Sequence, residues 1–347
     1  MKAAVLEALE KLVVKEVPYP DIGPDEALVK VRACAVCGSD IRIFRHGNNR
    51  VHPPAILGHE SAGEIVAVGE RVTGFKAGDR VALGADVPCG ECPACRAGYG
   101  NNCNINYAMG YQFQGSFAEY VPLNKTMLNF GPVHRIPDSM GWEEAALAEP
   151  LACVLNAVEI AGVGLGDTVV VMGAGPIGCM IIPVALMSGA AKVIAVNRSP
   201  GRLGFASGAG ADVVVCSSEE DQIARVLKET EGQGADVVFT ANPSPQSHAD
   251  ALKMVKNRGR VNLFGGLPAG TKVELDTNLI HYKELTVTGA HGSVPRHHFQ
   301  AIGLIASGRL DIGSFVSHRF SLDDIGEAFR TAESKEGLRV IVLPHPL

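Results

Sequence analysis

Four cysteines within one short stretch, Cys89, Cys92, Cys95 and Cys103, constrain this chain more than any other feature. Their spacing is C-x2-C-x2-C-x7-C. Thiolates placed so closely can fill every corner of a tetrahedral zinc site. A filled site holds a lobe of chain together, here about residues 86–106, and does no chemistry. The chain has nine cysteines. It opens Met1-Lys2-Ala3-Ala4, without a basic start and apolar run, so a cytoplasmic location and metal rather than disulfides are expected. Cys34, Cys153, Cys179 and Cys216 sit in apolar sequence and are expected to be buried small hydrophobes.

A second set of donors is mixed in type. Cys37 supplies sulfur, His59 nitrogen and Glu60 oxygen. Such a set with one position open suits a catalytic zinc. Ser39 places a hydroxyl two residues from Cys37. Glu149 adds a carboxylate before Pro150, where it also reads as a helix cap. Asp40 and Asp79 read as structural hydrogen-bonding groups.

Downstream, Gly173-Ala174-Gly175-Pro176-Ile177-Gly178 fits G-x-G-x-x-G. It follows an apolar strand (168–172) and opens a helical stretch (176–188), the context that makes the pattern a dinucleotide fingerprint. The glycines allow a tight turn, close approach of pyrophosphate, and close helix–strand packing. The helix N-terminus offers N–H donors to phosphate. About twenty residues on, an NAD site usually carries an acid that binds the ribose hydroxyls. Here Asn197 stands at that position, followed by Arg198 and then Arg202. Without the repulsive acid, two guanidinium groups suit a 2′-phosphate, so the cofactor is NAD(P) with a lean to NADP. The alternative is Arg202 packed under the adenine and Arg198 as a surface charge.

With 347 residues the chain exceeds one ordinary core, and two domains are expected. A hydrophobic content of 46% and a charged content of 20% exclude disorder. The net charge of −6 and the lack of a basic run argue against nucleic acid. The uncharged run from Thr168 to Ala191 is broken by Gly173, Gly175, Gly178 and Pro183. It reads as strand, turn and helix rather than a membrane span, with Pro183 kinking the helix or weakening a turn. Residues 1–151 carry short β-branched runs (29–31, 65–68, 80–83). Residues 152–290 alternate strands (192–196, 212–216, 236–239, 260–264, 285–288) with helices (219–230, 246–256). The fold class is therefore α/β, a Rossmann doubly wound parallel sheet beside a β-rich catalytic domain. Residues 291–347, with a helix near 296–306 and a strand over 339–343, are expected to return to the first domain.

At this point the motifs carry a resemblance. The run from Gly58 to Val72 matches G-H-E-x2-G-x5-G-x2-V. Over essentially its whole length the chain resembles zinc-dependent medium-chain alcohol dehydrogenases of the sorbitol, threonine and polyol-phosphate branch. The resemblance implies a GroES-like catalytic domain. It implies Cys37, His59 and Glu60 as catalytic zinc ligands, with Glu149 a fourth, direct or through water. It implies Cys89, Cys92, Cys95 and Cys103 around a structural zinc, and Ser39 as the hydroxyl that relays the substrate proton. One departure stands out. Many relatives carry histidine five positions after the zinc cysteine, where this chain has Arg42, which does not deprotonate. The proton then leaves by water, ribose or His46. A homo-oligomer, tetramer or dimer, is also implied. Strand 285–288 reads as the pairing edge or, equally, as an internal strand.

The expected reaction is hydride transfer between a secondary alcohol and NAD(P), with zinc as Lewis acid and the nicotinamide as acceptor. The small alcohol or ketone partner is expected to be a polyol, sugar alcohol or its phosphate, because residues 42–50 are basic and rich in amides; a solvated loop is an equal alternative for that segment. Tyr111, Glu119 and His291 are further cleft candidates. A threonine-type amino-alcohol dehydrogenase is the alternative, and a non-catalytic nucleotide sensor a third.

Overall fold

The structure, a computed structural model, describes residues 1–345. The chain divides into two compact units, Met1–Ala152 with the segment from Gly292 onward, and Cys153–His291.

The second unit is built on six parallel strands. Their order is Val213–Cys216, Lys192–Asn197, Thr168–Met172, Ala235–Thr240, Val255–Leu263 and Thr286–Gly289. Thr168–Met172 has Lys192–Asn197 on one side and Ala235–Thr240 on the other. Strand order therefore reverses beside it, and open α/β sheets bind ligands at such a switch point. Val169, Val170, Val171 and Met172 are all buried, as a strand covered on both faces requires. Thr286–Gly289 pairs on one side only, so the strand read as edge or internal is an edge.

Helix Pro176–Met187 is continuous and contains Pro183. Ile181, Ile182, Val184 and Ala185 around it are buried, and their packing outweighs one missing donor. The helix expected to reach Lys256 ends at Met254, and strand Val255–Leu263 begins five residues before the expected Arg260. The polar run Lys256-Asn257-Arg258-Gly259 hides this strand. Val255 is fully buried opposite Ala235, and the ladder then shifts register.

The first unit carries a mainly antiparallel sheet. Its order is Val133–Arg135, Arg80–Leu83, Glu60–Val68, Ala27–Ala35, Arg339–Leu343 and Val316–Ser321, with Tyr120–Leu123 also paired to Ala27–Ala35. Alternating apolar residues fill its core, among them Val29, Val31, Ile65, Val81 and Phe117. A smaller sheet joins Lys11–Glu16, Lys2–Ala8 and Ala55–Ile56. Asp79 accepts the Lys76 N–H at 2.9 Å and pairs with Arg135 at 2.8 Å, a structural use. Cys34, Cys179 and Cys216 are buried, but Cys153 is only half-buried, a correction to its expected burial. Among the described residues no helix is long and apolar enough to cross a membrane.

Candidate functional site

Strand pairing assembles the mixed donors. Ala27–Ala35 runs antiparallel to Glu60–Val68, and Ala35 lies opposite Glu60. Cys37, two residues past Ala35, is thereby brought to His59 and Glu60. One ligand atom from each of the three lies within 4.8 Å of the others. Cys37 is the N-cap of helix Gly38–His46, and its N–H donates to Asp40 Oδ2 at 3.0 Å. Asp40, with no exposed surface, also accepts the Gly58 N–H at 3.3 Å. Its Oδ1 stands 3.5 Å from His59 Nδ1. The Nδ1 edge faces this carboxylate at ion-pair distance, with no hydrogen bond made, and the Nε2 edge is left for a metal, as with a carboxylate behind a ligating histidine. Ser39 Oγ lies 3.4 Å from that Nε2.

Charge balance also fits a cation here. Burial pushes the Cys37 thiol up, and Glu60 adds to the shift. Burial opposes a charged His59, but Asp40 and Cys37 outweigh it and hold its pKa well above the ordinary range. Burial raises Glu149 to about 8, and the charges of His59, Glu60, Asp86 and Arg339 all reach it. Glu149 lies in the first turn of helix Ala148–Ala161. Its carboxylate is not part of the compact group of three donors.

Arg339 escaped the sequence reading. It is buried, and its Nη1 pairs with Glu60 at 3.0 and 3.2 Å. It enters on strand Arg339–Leu343, where Ile341 lies opposite Ala35. The only signal was a charged residue at the head of an apolar strand. Tyr111, a cleft candidate, is brought to the site. Its ring centroid is 6.0 Å from that of His59. Glu119 is used elsewhere: it accepts the Lys2 N–H at 2.7 Å. Arg42 and His46 are exposed, and Arg45 is engaged by Glu10 at 2.7 Å and Glu333 at 2.6 Å. His291 belongs to the second unit, where its carbonyl accepts from Asn156 at 3.5 Å.

The four-cysteine lobe closes on a two-stranded ladder, Asp86–Val87 against Tyr107–Ala108. Sulfur separations are 3.9 Å for Cys89–Cys95, 3.5 Å for Cys92–Cys95 and 4.0 Å for Cys92–Cys103. A tetrahedron with Zn–S bonds of about 2.3 Å has edges of about 3.8 Å; a disulfide needs about 2.05 Å. Backbone N–H groups of Cys89 and Cys92 aim at sulfurs, each at 3.4 Å, and support thiolates. The metal-free thiols titrate far apart. The Asn104 backbone, then that of Cys95, lowers Cys92 to about 6, whereas burial pushes Cys95 up to about 12. One divalent cation would remove that conflict.

In the second unit the glycine loop follows Met172. Gly173 has φ of +113°, and a Cβ on Gly178 would stand 1.8 Å from the Gly173 carbonyl oxygen. Gly175 is the N-cap, and Pro176 opens the helix with Ile177 behind it. Asn197 is committed to backbone: its Oδ1 accepts the Ala174 N–H at 3.2 Å, and its Nδ2 donates to the Ser199 carbonyl at 2.8 Å. Arg202 is half-buried, with Nη1 3.6 Å from the Cβ position of Gly175. Arg198 is exposed.

Comparison with known proteins agrees with this geometry. Residues 23–138 match the alcohol dehydrogenase GroES-like domain, and residues 176–307 the zinc-binding dehydrogenase family. The chain is 34% identical to sorbitol dehydrogenase of Bacillus subtilis (strain 168), covering 99% of this chain and 98% of that protein. It is 36% identical to L-threonine 3-dehydrogenase of Chelativorans sp. (strain BNC1), covering 99% and 98%. A zinc-binding dehydrogenase fold from Sinorhizobium meliloti 1021, solved bound to NADP, superposes with a TM-score of 0.93 at 33% identity, covering 99% of each chain. The chain belongs to the zinc-dependent medium-chain dehydrogenases, enzymes that act on CH–OH donors with zinc and NAD(P).

Proposed function

We propose that this dehydrogenase interconverts a polyol or sugar alcohol, free or phosphorylated, with its ketone, and that it prefers NADP. The observation that carries the reading is the compact Cys37, His59 and Glu60 cluster, with the Ser39 hydroxyl 3.4 Å from His59 Nε2. In the proposal Cys37, His59 and Glu60 hold the catalytic zinc, and Cys89, Cys92, Cys95 and Cys103 the structural one. When bound, zinc supplies Lewis acidity toward the alcohol oxygen, and NAD(P) accepts the hydride.

The chain's own groups do the rest. Ser39 Oγ receives the alcohol proton and passes it outward. Asp40 fixes the His59 ring, so that Nε2 keeps its aim while charge develops nearby. Arg339 holds Glu60 in place. Glu149 is available directly or through water, and its burial favours the protonated carboxyl. The loop of Gly173, Gly175, Pro176, Ile177 and Gly178 takes the pyrophosphate at the helix N-terminus. Asn197 presents no acid to repel a 2′-phosphate, and Arg202, lying against the loop, with Arg198 supports the NADP lean.

Likeness to a sorbitol dehydrogenase supports the polyol; likeness to a threonine dehydrogenase supports an amino alcohol as a second reading. The test is reduction of NAD⁺ and NADP⁺ by the zinc-loaded protein with free polyols, their phosphates and L-threonine. A polyol class turned over with NADP⁺ is expected. Cys37→Ala should cut turnover at least about a hundredfold, since Lewis-acid stabilisation is worth several kcal/mol, while NADPH binding persists. Turnover of threonine alone would replace the polyol reading. Full activity of the alanine variant would remove the zinc assignment.

A further inference from the structure

The first unit contains a cleft of about 590 Å³ that none of the steps above uses. Its rim carries Lys15, Arg50 and His52, and its wall includes Tyr111, Gln112 and Phe113. No residue lining it is acidic. Arg50 is the unusual member. Its Nη2 donates to the Asn106 carbonyl and, at 3.3 Å, to Gln112 Oε1. Its Nε is buried without a hydrogen-bond partner. Among the described residues no carboxylate lies in ion-pair reach of Arg50. The guanidinium is instead stacked over Tyr111, 4.7 Å from the ring centroid. Lys15 pairs with Glu7 at 2.6 Å, but Glu7 also holds Lys11 at 2.9 Å, so two ammonium groups share one carboxylate. The rim therefore carries unbalanced positive charge. A half-buried guanidinium held by carbonyl oxygens and lacking a counter-charge is what an anion site provides.

Tyr111 joins this cleft to the donor cluster, since the same side chain lines the cleft and its ring centroid lies 6.0 Å from that of His59. We infer that the cleft receives the anionic end of the substrate, a phosphate monoester or a carboxylate, with Arg50 as its main contact and Lys15 supporting it. The carbon chain passes Tyr111 so that the hydroxyl to be oxidised lies at Ser39. This rests on the dehydrogenase reading and names the substrate feature that sets specificity.

The test compares a polyol with its phosphate monoester in the zinc-loaded protein. In Arg50→Gln the kcat/KM ratio of ester to parent polyol should fall on the order of ten- to a hundredfold, the worth of a charge-assisted contact. The loss should appear in KM. Arg50→Lys should restore part of it, and Lys15→Gln should lower the ratio less. Inorganic phosphate should compete with the ester. An unchanged ratio in Arg50→Gln would overturn the assignment, as would phosphate acting on the parent polyol without competing with the ester. Should the wild type oxidise neither compound, the polyol reading fails separately. Calorimetry with inorganic phosphate then decides the cleft: heat lost in Arg50→Gln supports it, and no heat in the wild type sinks it.

Discussion

Asp40 controls two functional atoms with one buried carboxylate. It caps the Cys37 N–H and stands behind His59 Nδ1, so the sulfur and the imidazole are oriented by the same group. Arg339 does the same for Glu60 from the far end of the chain. A third buried residue carries a testable cost. His298 has no exposed surface, and its Nδ1 lies 2.9 Å from that of His134. Burial, then the charge of His134, lowers it from the ordinary 6.5 to about 3. Between these values the unfolded chain binds a proton that the folded chain refuses. Stability is thus greatest above 6.5 and is lost as pH falls toward 3, by up to about 1.4 kcal/mol per unit. Urea midpoints between pH 7 and 4 should fall less steeply in His298→Leu than in the wild type. Equal slopes would place the acid sensitivity elsewhere.

Elements supply the juxtapositions. The ladder of Ala27–Ala35 with Glu60–Val68 carries Cys37 to His59 and Glu60 across twenty-two positions of sequence. The loop after Thr168–Met172 gains its character from what it excludes. A methyl at Gly178 would enter the Gly173 carbonyl. Because the clash is with backbone, Gly178→Ala must part helix Pro176–Met187 from its strand. Overpacking of this kind costs about 1–3 kcal/mol. The expected outcome is a lower denaturation midpoint together with loss of NADPH binding in a fluorescence titration. Normal NADPH affinity in a stable Gly178→Ala protein would show that the tight turn is dispensable.

At the scale of the molecule, each unit has its own core and its own task. Within the first unit the four-cysteine lobe is a further semi-independent piece, tied by the two-residue strands Asp86–Val87 and Tyr107–Ala108. Such a lobe has little apolar core, so metal binding supplies its folding energy. Cys92→Ser should reduce zinc from two ions per chain to one, by metal analysis of the purified protein. Limited proteolysis should then cut between residues 89 and 103 first. Retention of both ions, or loss of both, would contradict a separate structural site.

Much of this was legible in the linear sequence, because some chemistry is local. The spacing of Cys89, Cys92, Cys95 and Cys103 fixes a lobe, since ligands so close in the chain meet in any compact loop. The glycines after an apolar strand fix a turn, since backbone sterics act over a few residues. Strands Thr168–Met172 and Arg339–Leu343 matched their expected ranges, because continuous apolar runs leave few alternatives. Non-local pairing decided the rest. The polar run 256–259 gave no local hint of strand Val255–Leu263, which exists because the sheet pairs it. Arg339 was invisible as a site residue, and Arg50 was legible only as one charge of the basic run 42–50. An arginine's role depends on which carboxylate lies within about 4 Å of it, and that is settled by folding: Arg339 meets Glu60, and Arg50 meets none among the described residues.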